Sequence, residues 1–194
     1  MNGNAMVHEL GQSLWLDNIT RDLLDNGTLQ KYIDTLSVTG LTSNPSIFQK
    51  AISGTASYDD QIRDLLGKGL ETEPLFFELA LSDLTRAADI FRGIHDSTDG
   101  VDGFVSLEVS PLLANDTANT IEQAKLLHGK ADRPNLFIKV PGTKEGLPAI
   151  EELIFAGIAI NVTLLFSREQ YMAASEAYTR GIERRIEAGL DPKV

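Results

Sequence analysis

Lys139 stands inside the apolar run LFIKVP, where its side chain could act as a nucleophile. Burial disfavours the charged form of an amine because that form loses its hydration. A neutral lysine amine can attack a carbonyl group and form a Schiff base, which then serves as an electron sink. The alternative is a surface lysine at the end of a strand, or a lysine whose stem packs while its ammonium group reaches water. Lys144, in the following GTKEG loop, is interpreted as a solvated charge.

Two carboxylates, Glu108 and Asp17, could transfer protons beside such a lysine. Glu108 lies in SLEVSP and could relay a proton through a water molecule, or it could be a structural partner of a lysine or a hydroxyl group. Asp17 ends the run LWLD, where an aspartate could also serve as a helix N-cap. The sequence alone leaves both roles open for each carboxylate.

Three polar side chains could bind the hydroxyl groups of a substrate. Asn44 precedes Pro45, which is also typical of an N-cap followed by proline at the first helical position. Asn161 and Thr163 alternate with apolar residues in IAINVT, and two polar groups on one inward face are costly without partners. Together with a nucleophile and two carboxylates, these groups fit imine-based cleavage of a carbon–carbon bond.

Predicted strands place these residues near their C-terminal ends. The predicted strands are Ser13–Asp17, Val38–Thr42, Gly103–Val109, Leu136–Val140 and Gly157–Thr163. The amphipathic helical segments are Pro74–Arg92, Asp116–Leu127, Glu145–Phe155 and Arg168–Ala188, with a helical insertion at Tyr58–Leu66. Alternation of strands and helices predicts a parallel sheet.

Each predicted strand has one aliphatic face and an opposite face that carries polar groups. In LFIKVP, for example, Ile138 and Val140 share one face and Lys139 lies on the other. A doubly wound sheet would be apolar on both faces, whereas a (β/α)8 barrel builds its active site from inward-facing residues at the strand ends. The sequence therefore predicts an α/β fold of the (β/α)8 TIM barrel type, in a single domain over residues 1–194. A complete barrel typically needs eight strands and about 250 residues, so about the first five strand–helix units are expected.

Composition excludes several other classes of protein. The formal net charge of −11 argues against nucleic acid, whose binding requires basic side chains that neutralise phosphates. The sequence has no cysteine, and its three histidines match no metal-ligand spacing. No apolar run resembles a signal peptide or a membrane-spanning helix. We therefore expect a cytoplasmic protein that does not bind nucleic acid or membranes.

Five ordered segments resemble the successive strand signatures of the transaldolase family, in its longer bacterial form. They are WLDN, GLTSNPSIF, GFVSLEVSP, FIKVPGTKEG and INVTLLFS. The similarity runs from about Leu14 to the end of the last helix near Gly189. It implies a barrel of the class I aldolase type.

The resemblance also implies a role for each candidate residue. Lys139 would be the Schiff-base lysine, Glu108 the acid/base that works through a water, and Asp17 the proton-transfer residue. The groups that would hold substrate hydroxyls or the catalytic water are Asn44, Asn161 and Thr163.

The implied reaction belongs to the pentose phosphate pathway. Sedoheptulose 7-phosphate would form an imine with Lys139, and retro-aldol cleavage would release erythrose 4-phosphate. The retained dihydroxyacetone unit would pass to glyceraldehyde 3-phosphate and give fructose 6-phosphate. The implied partners are small-molecule sugar phosphates, and no cofactor or metal is implied.

One departure from the family concerns the residues that grip the substrate phosphate. In the family they follow the sixth and seventh strands, which would lie beyond Val194. We therefore expect the N-terminal part of a longer transaldolase, inactive without its C-terminal remainder; a homo-oligomer and a parent fused to glucose-6-phosphate isomerase also remain open. Another Schiff-base sugar-phosphate aldolase and a truncated, non-catalytic barrel are the alternative functions.

Overall fold

The computed structural model describes residues 3–194 as strands that alternate with helices. The strands are β1 (Leu14–Asp17), β2 (Val38–Thr42), β3 (Val105–Glu108), β4 (Leu136–Pro141) and β5 (Ile160–Thr163). The α-helices are α1 (Gly3–Glu9), α2 (Arg21–Asp25), α3 (Thr28–Leu36), α4 (Pro45–Gly54), α5 (Asp59–Gly67), α6 (Thr72–Ser97), α7 (Thr117–Ala131), α8 (Gly146–Phe155) and α9 (Arg168–Glu187). Two 3-10 helices cover Ala56–Tyr58 and Pro111–Leu113. None of the helices in this part of the chain is long and apolar enough to cross a membrane.

The sheet order is β1-β2-β3-β4-β5, so every strand lies beside its neighbour in the sequence. The pairs β1–β2, β2–β3 and β4–β5 are parallel. Parallel strands that follow one another in sequence order and are joined by helices form the repeating unit of a (β/α) barrel. The predicted fold class is confirmed: the chain contains five strand–helix units of an aldolase-type barrel.

The predicted elements differ from the structure mainly at their ends. β3 begins after Gly103 and β5 begins after Gly157, because these glycines have φ angles of 81° and 80°, which extended strands do not adopt. The predicted insertion at Tyr58–Leu66 is found as α5. Of the helices that precede it along the chain, α1 and α3 were not predicted. The caps considered at Asp17 and Asn44 indicated that helices begin near α2 and α4, without giving their bounds.

Residues 3–107 and 133–136 form a first compact unit. Its core includes Leu41 of β2, Phe48 of α4 and Phe91 of α6, all of them buried. A Cβ atom at Gly40 would lie 2.5 Å from the Trp15 ring, so only glycine lets the indole of β1 lie against β2.

Residues 108–132 and 137–194 form a second compact unit, in which α8 packs against α9. The buried residues of α9 are all small, namely Ala174, Ala177 and Gly181. A Cβ atom at Gly181 would lie 2.8 Å from the side chain of Ile154, so the two helices approach closely at this glycine. At the exposed rim, Arg180 Nε donates a hydrogen bond of 2.7 Å to Glu151, which lowers the pKa of that carboxyl group.

An apolar groove lies between β5 and α9 in the second unit. Its volume is about 360 Å³. It is lined by Ile160, Val162, Leu165, Tyr171, Ala174, Ser175 and Tyr178. Of these, Tyr171 and Tyr178 leave 61% and 43% of their surface exposed. These exposed fractions are large, because aromatic side chains are mostly buried in folded proteins.

Candidate active site

Lys139 lies on β4 with only 9% of its surface exposed. Its neighbours Ile138 and Val140 are fully buried, and the alternation of a strand directs their side chains to the opposite face. The interpretation of Lys139 as a surface lysine is therefore wrong. Lys144 is exposed, as predicted.

Glu108, the last residue of β3, is in direct contact with this lysine. The Lys139 Nζ atom lies 3.2 Å from Glu108 Oε2, and the two side chains are 11% and 17% exposed. The backbone N–H of Val109 donates a 3.2 Å hydrogen bond to the carbonyl oxygen of Lys139, which fixes the end of β3 beside β4. A carboxylate at this distance can stabilise an ammonium group or exchange a proton with it.

Asn161 and Thr163 lie on β5, the next strand of the sheet. Lys139 is paired with Asn161 across the parallel ladder, and Pro141 is paired with Thr163. Paired residues of adjacent strands point to the same face of a sheet, so Asn161 lies beside Lys139 on the polar face. Both polar residues of β5 are half-buried. The second unit thus brings together an amine, a carboxylate, an amide and a hydroxyl group.

The loop that follows Lys139 is held in place by several hydrogen bonds. The N–H of Gly142 donates to the carbonyl oxygen of Thr163 at 2.7 Å. The Thr143 hydroxyl donates to the carbonyl oxygen of Ala114 at 2.6 Å and accepts from the N–H of Gly146 at 3.0 Å. A Cβ atom at Gly146 would lie 1.9 Å from the carbonyl oxygen of Pro141, so the loop can close only on glycine.

Asp17 and Asn44 belong to the first unit. Asp17 is exposed, ends β1, and is paired with Thr42 of β2. It does not cap α2, because the N-cap is Thr20, whose hydroxyl accepts a 3.1 Å hydrogen bond from the N–H of Leu23. The capping interpretation of Asp17 is therefore wrong, and its carboxylate remains available for other contacts.

Asn44 does cap a helix, as its position before Pro45 predicts. It has extended backbone angles, and its Oδ1 atom accepts a 2.9 Å hydrogen bond from the N–H of Ile47 in α4. The cap uses only the oxygen of the carboxamide, whose NH2 group carries two further donors. Asn44 can therefore be a cap and still donate a hydrogen bond to a ligand.

A buried polar cluster of the first unit, formed by Arg21, Tyr58 and Asp83, was not predicted from the sequence. The Asp83 side chain is fully buried and contacts Arg21 Nη2 at 2.9 Å. Burial raises the pKa of its carboxyl group, which the hydrogen bond from Tyr58 and the charge of Arg21 counteract. One sequence signal could have revealed this cluster. Asp83 lies four residues from both Leu79 and Ala87, so a charged residue stands on the fully buried face of α6.

Among residues 3–194, no group of three or more histidine, cysteine, aspartate or glutamate side chains is arranged to hold a metal ion.

Known proteins resemble the chain over nearly its whole length. The sequence model of the transaldolase/fructose-6-phosphate aldolase family matches residues 14–189. A transaldolase of Acidothermus cellulolyticus is 49% identical over 187 residues, which are 96% of this chain and 50% of that protein. A transaldolase of Mycolicibacterium paratuberculosis is 47% identical over 187 residues, or 96% of this chain and 50% of the relative. A transaldolase 2 of Nostoc punctiforme is 42% identical over 185 residues, which are 95% of this chain and 49% of that protein.

The chain spans about half the length of the curated relatives that it matches. The matched range contains all five segments on which the family resemblance rests. That resemblance is confirmed, and the chain belongs to the transaldolase/fructose-6-phosphate aldolase family.

Proposed function

We propose that the protein that contains this chain is a transaldolase, which transfers a dihydroxyacetone unit from sedoheptulose 7-phosphate to glyceraldehyde 3-phosphate through a Schiff base on Lys139. The observation that carries the proposal is the 3.2 Å contact between the buried Lys139 amine and the Glu108 carboxylate. Membership of the family supports it, and similarity to transaldolases over nearly the whole chain does not favour another Schiff-base aldolase or a non-catalytic fragment.

In the first half of the reaction, the Lys139 amine attacks the ketone carbon of the donor sugar and forms a carbinolamine. Glu108 transfers protons, directly or through a water, so that the carbinolamine loses water and becomes an iminium ion. Asp17 then takes the proton of the hydroxyl group on the carbon that leaves. The adjacent carbon–carbon bond breaks, its electron pair enters the iminium as an enamine, and erythrose 4-phosphate departs.

In the second half, the enamine attacks the aldehyde carbon of glyceraldehyde 3-phosphate. The new alkoxide receives a proton, and water hydrolyses the resulting iminium. This step releases fructose 6-phosphate and regenerates the Lys139 amine. The sequence of steps is redox-neutral and consumes no additional reactant, since the water lost on imine formation is returned on hydrolysis.

Polar groups beside the lysine would hold the hydroxyl groups of the dihydroxyacetone unit. Asn161 is suited to this role because it is paired with Lys139 across the β4–β5 ladder. Thr163 follows on the same face of β5. We propose that the carboxamide NH2 group of Asn44, which belongs to the first unit, also donates to a substrate hydroxyl. Amide and hydroxyl side chains can both donate and accept hydrogen bonds, so a substrate rich in hydroxyl groups is a fitting ligand.

Sodium borohydride trapping tests the proposed function most directly. Added with fructose 6-phosphate to the active protein, borohydride should reduce the imine to a stable secondary amine, and peptide mass spectrometry should locate it on Lys139. The exposed Lys144 serves as the internal control for nonspecific modification. An adduct on Lys144, or active enzyme without any adduct, would contradict the proposal.

We further propose that the substrate phosphate is bound by polypeptide outside residues 1–194. The chain covers only about half the length of its relatives, and Tyr171 and Tyr178 expose much of their surface in the apolar groove between β5 and α9. Residues 1–194 expressed alone should therefore associate through this groove and should not turn over sugar phosphates. Analytical ultracentrifugation and a coupled assay would measure both, and a monomer with normal turnover would contradict the proposal.

A further inference from the structure

The cluster of Arg21, Tyr58 and Asp83 takes no direct part in the proposed reaction, yet it places an ion pair with a fully buried carboxylate inside the first unit. Tyr58 and the Asp83 side chain are fully buried, and the Arg21 side chain is 11% exposed. Polar and charged groups are rarely buried to this degree unless they are fully hydrogen-bonded. The hydrogen bonds of this cluster therefore indicate which segments of the chain it holds in place.

The Tyr58 hydroxyl connects the other two residues. It accepts a 3.0 Å hydrogen bond from the backbone N–H of Arg21 and donates one of 2.8 Å to Asp83 Oδ2. The Arg21 side chain reaches the other carboxylate oxygen, with Nε at 3.0 Å from Asp83 Oδ1. Its guanidinium carbon also lies 4.2 Å from the centre of the Tyr58 ring. The phenol is thus held by two hydrogen bonds and by the stacked cation.

Further contacts extend the cluster to the chain that follows α4. Arg21 Nη2 donates a 2.6 Å hydrogen bond to Gln61 of α5, and Nη1 donates one of 3.3 Å to the carbonyl oxygen of Ser57. Arg21 is the first residue of α2, and the first N–H groups of a helix have no partner within the helix. A buried side chain from another element therefore fixes the position of the α2 backbone at its beginning.

Asp17 lies four residues before Arg21, at the end of β1. The segment between them is anchored at one end by the pairing of Asp17 with Thr42 and in its middle by Ile19, which is fully buried. The Tyr58 hydroxyl holds the other end. Because Asp17 is exposed, packing of its own side chain does not fix it, and the direction of its carboxylate depends on this backbone segment.

We propose that Tyr58 is a positioning residue for the reaction: through its hydrogen bond to the backbone of Arg21, it fixes the segment that presents Asp17 to the substrate. This inference rests on the proposed function, because it needs Asp17 to transfer a proton. The competing explanation is that the cluster only stabilises the fold. The two explanations differ in whether the effect of Tyr58 on turnover passes through Asp17.

A Tyr58→Phe variant keeps the ring and the contact between Arg21 and Asp83, and it removes both hydrogen bonds of the hydroxyl group. We expect kcat to fall by about 10-fold with KM unchanged, because misplacement of a catalytic group lowers the rate of the chemical step. Borohydride trapping on Lys139 should be undiminished, since imine formation does not use Asp17. Arg86→Gln is the matched control, because the Arg86–Asp25 ion pair also joins α6 to α2 but lies at the far end of α2. This control should keep its kcat.

A double-mutant cycle with Asp17→Asn decides between the explanations. If Tyr58 acts through Asp17, Tyr58→Phe should cost less than about 2-fold in kcat when Asp17 is already replaced. The positioning role would be wrong if Tyr58→Phe lowered kcat 10-fold both with and without Asp17→Asn, or if Tyr58→Phe alone did not lower kcat. Neither result would contradict the proposed roles of Lys139 and Asp17. An Asp17→Asn variant with unchanged kcat would overturn both this inference and the proposed role of Asp17. If Tyr58→Phe does not fold, Tyr58→4-fluorophenylalanine takes its place in the same cycle, since the fluorine fills the space of the hydroxyl group but cannot donate a hydrogen bond and accepts one only weakly; the same loss of additivity is expected.

Discussion

Replacement of Glu108 by glutamine is expected to lower the turnover of the active protein by at least about 10²-fold, the usual scale for a positioned acid–base group. The substitution is nearly isosteric and keeps a hydrogen-bond acceptor about 3.2 Å from Lys139, as in the native pair. It removes the ability to exchange a proton in the steps that form and hydrolyse the imine. Steady-state kinetics would measure the loss, and Asp17→Asn should show a loss of similar size.

Thermal unfolding of the same variants separates catalysis from stability. Glu108 is only 17% exposed and in contact with the buried Lys139, so its replacement by glutamine removes one member of a buried pair and should lower the melting temperature. Asp17 is exposed, and its replacement should hardly change the melting temperature. If both variants lose stability equally and keep their turnover per folded molecule, the carboxylates are structural and the proposed mechanism is wrong.

Gly146→Ala is expected to destabilise the second unit by roughly 3 kcal/mol or more, which is the upper part of the range for overpacked sites. The added Cβ atom would lie 1.9 Å from the carbonyl oxygen of Pro141, a backbone atom that cannot rotate away. The start of α8 would have to move, together with the hydrogen bonds that Thr143 makes to Gly146 and to Ala114.

Gly129→Ala is the matched control for that variant. Gly129 also lies in a helix of the second unit, α7, but a Cβ atom there would have no neighbour within 4 Å. Since alanine is favoured over glycine in helices, this control should gain about 0.5–1 kcal/mol. Urea unfolding followed by circular dichroism would give both free energies. Equal stability of the two variants would show that the loop after Lys139 accommodates a side chain at Gly146.

The face on which Lys139 lies could be predicted from the sequence because side chains alternate strictly along a strand. The burial of Ile138 and Val140 on one side therefore fixed the direction of the lysine on the other. The capping residue of α2 could not be predicted in this way. Both Asp17 and Thr20 are residue types that cap helices, and the choice depends on where the helix begins, which sequence patterns define poorly.

The contacts of Asp83 could not be predicted from the sequence for a different reason. Its partners Tyr58 and Arg21 lie 25 and 62 residues away along the chain, and no local pattern encodes such distances. A buried aspartate in an amphipathic helix indicates only that some partner exists. The contact between Lys139 and Glu108 could be anticipated because both lie near the C-terminal ends of neighbouring strands, on the face that carries polar groups.

The close fit between Trp15 and Gly40 gives the first unit an optical probe that needs no label. Trp15 is the only tryptophan of the sequence, and it lies on the same face of β1 as Asp17. Fluorescence excited at the long-wavelength edge of aromatic absorption, where tyrosine does not absorb, therefore comes from this indole alone. The emission wavelength will follow the hydration of the surface that it shares with β2 and Asp17. Ligands that approach Asp17 and the unfolding of the first unit can thus be recorded on the native protein, while tyrosines such as Tyr171 and Tyr178 add no emission because they are not excited.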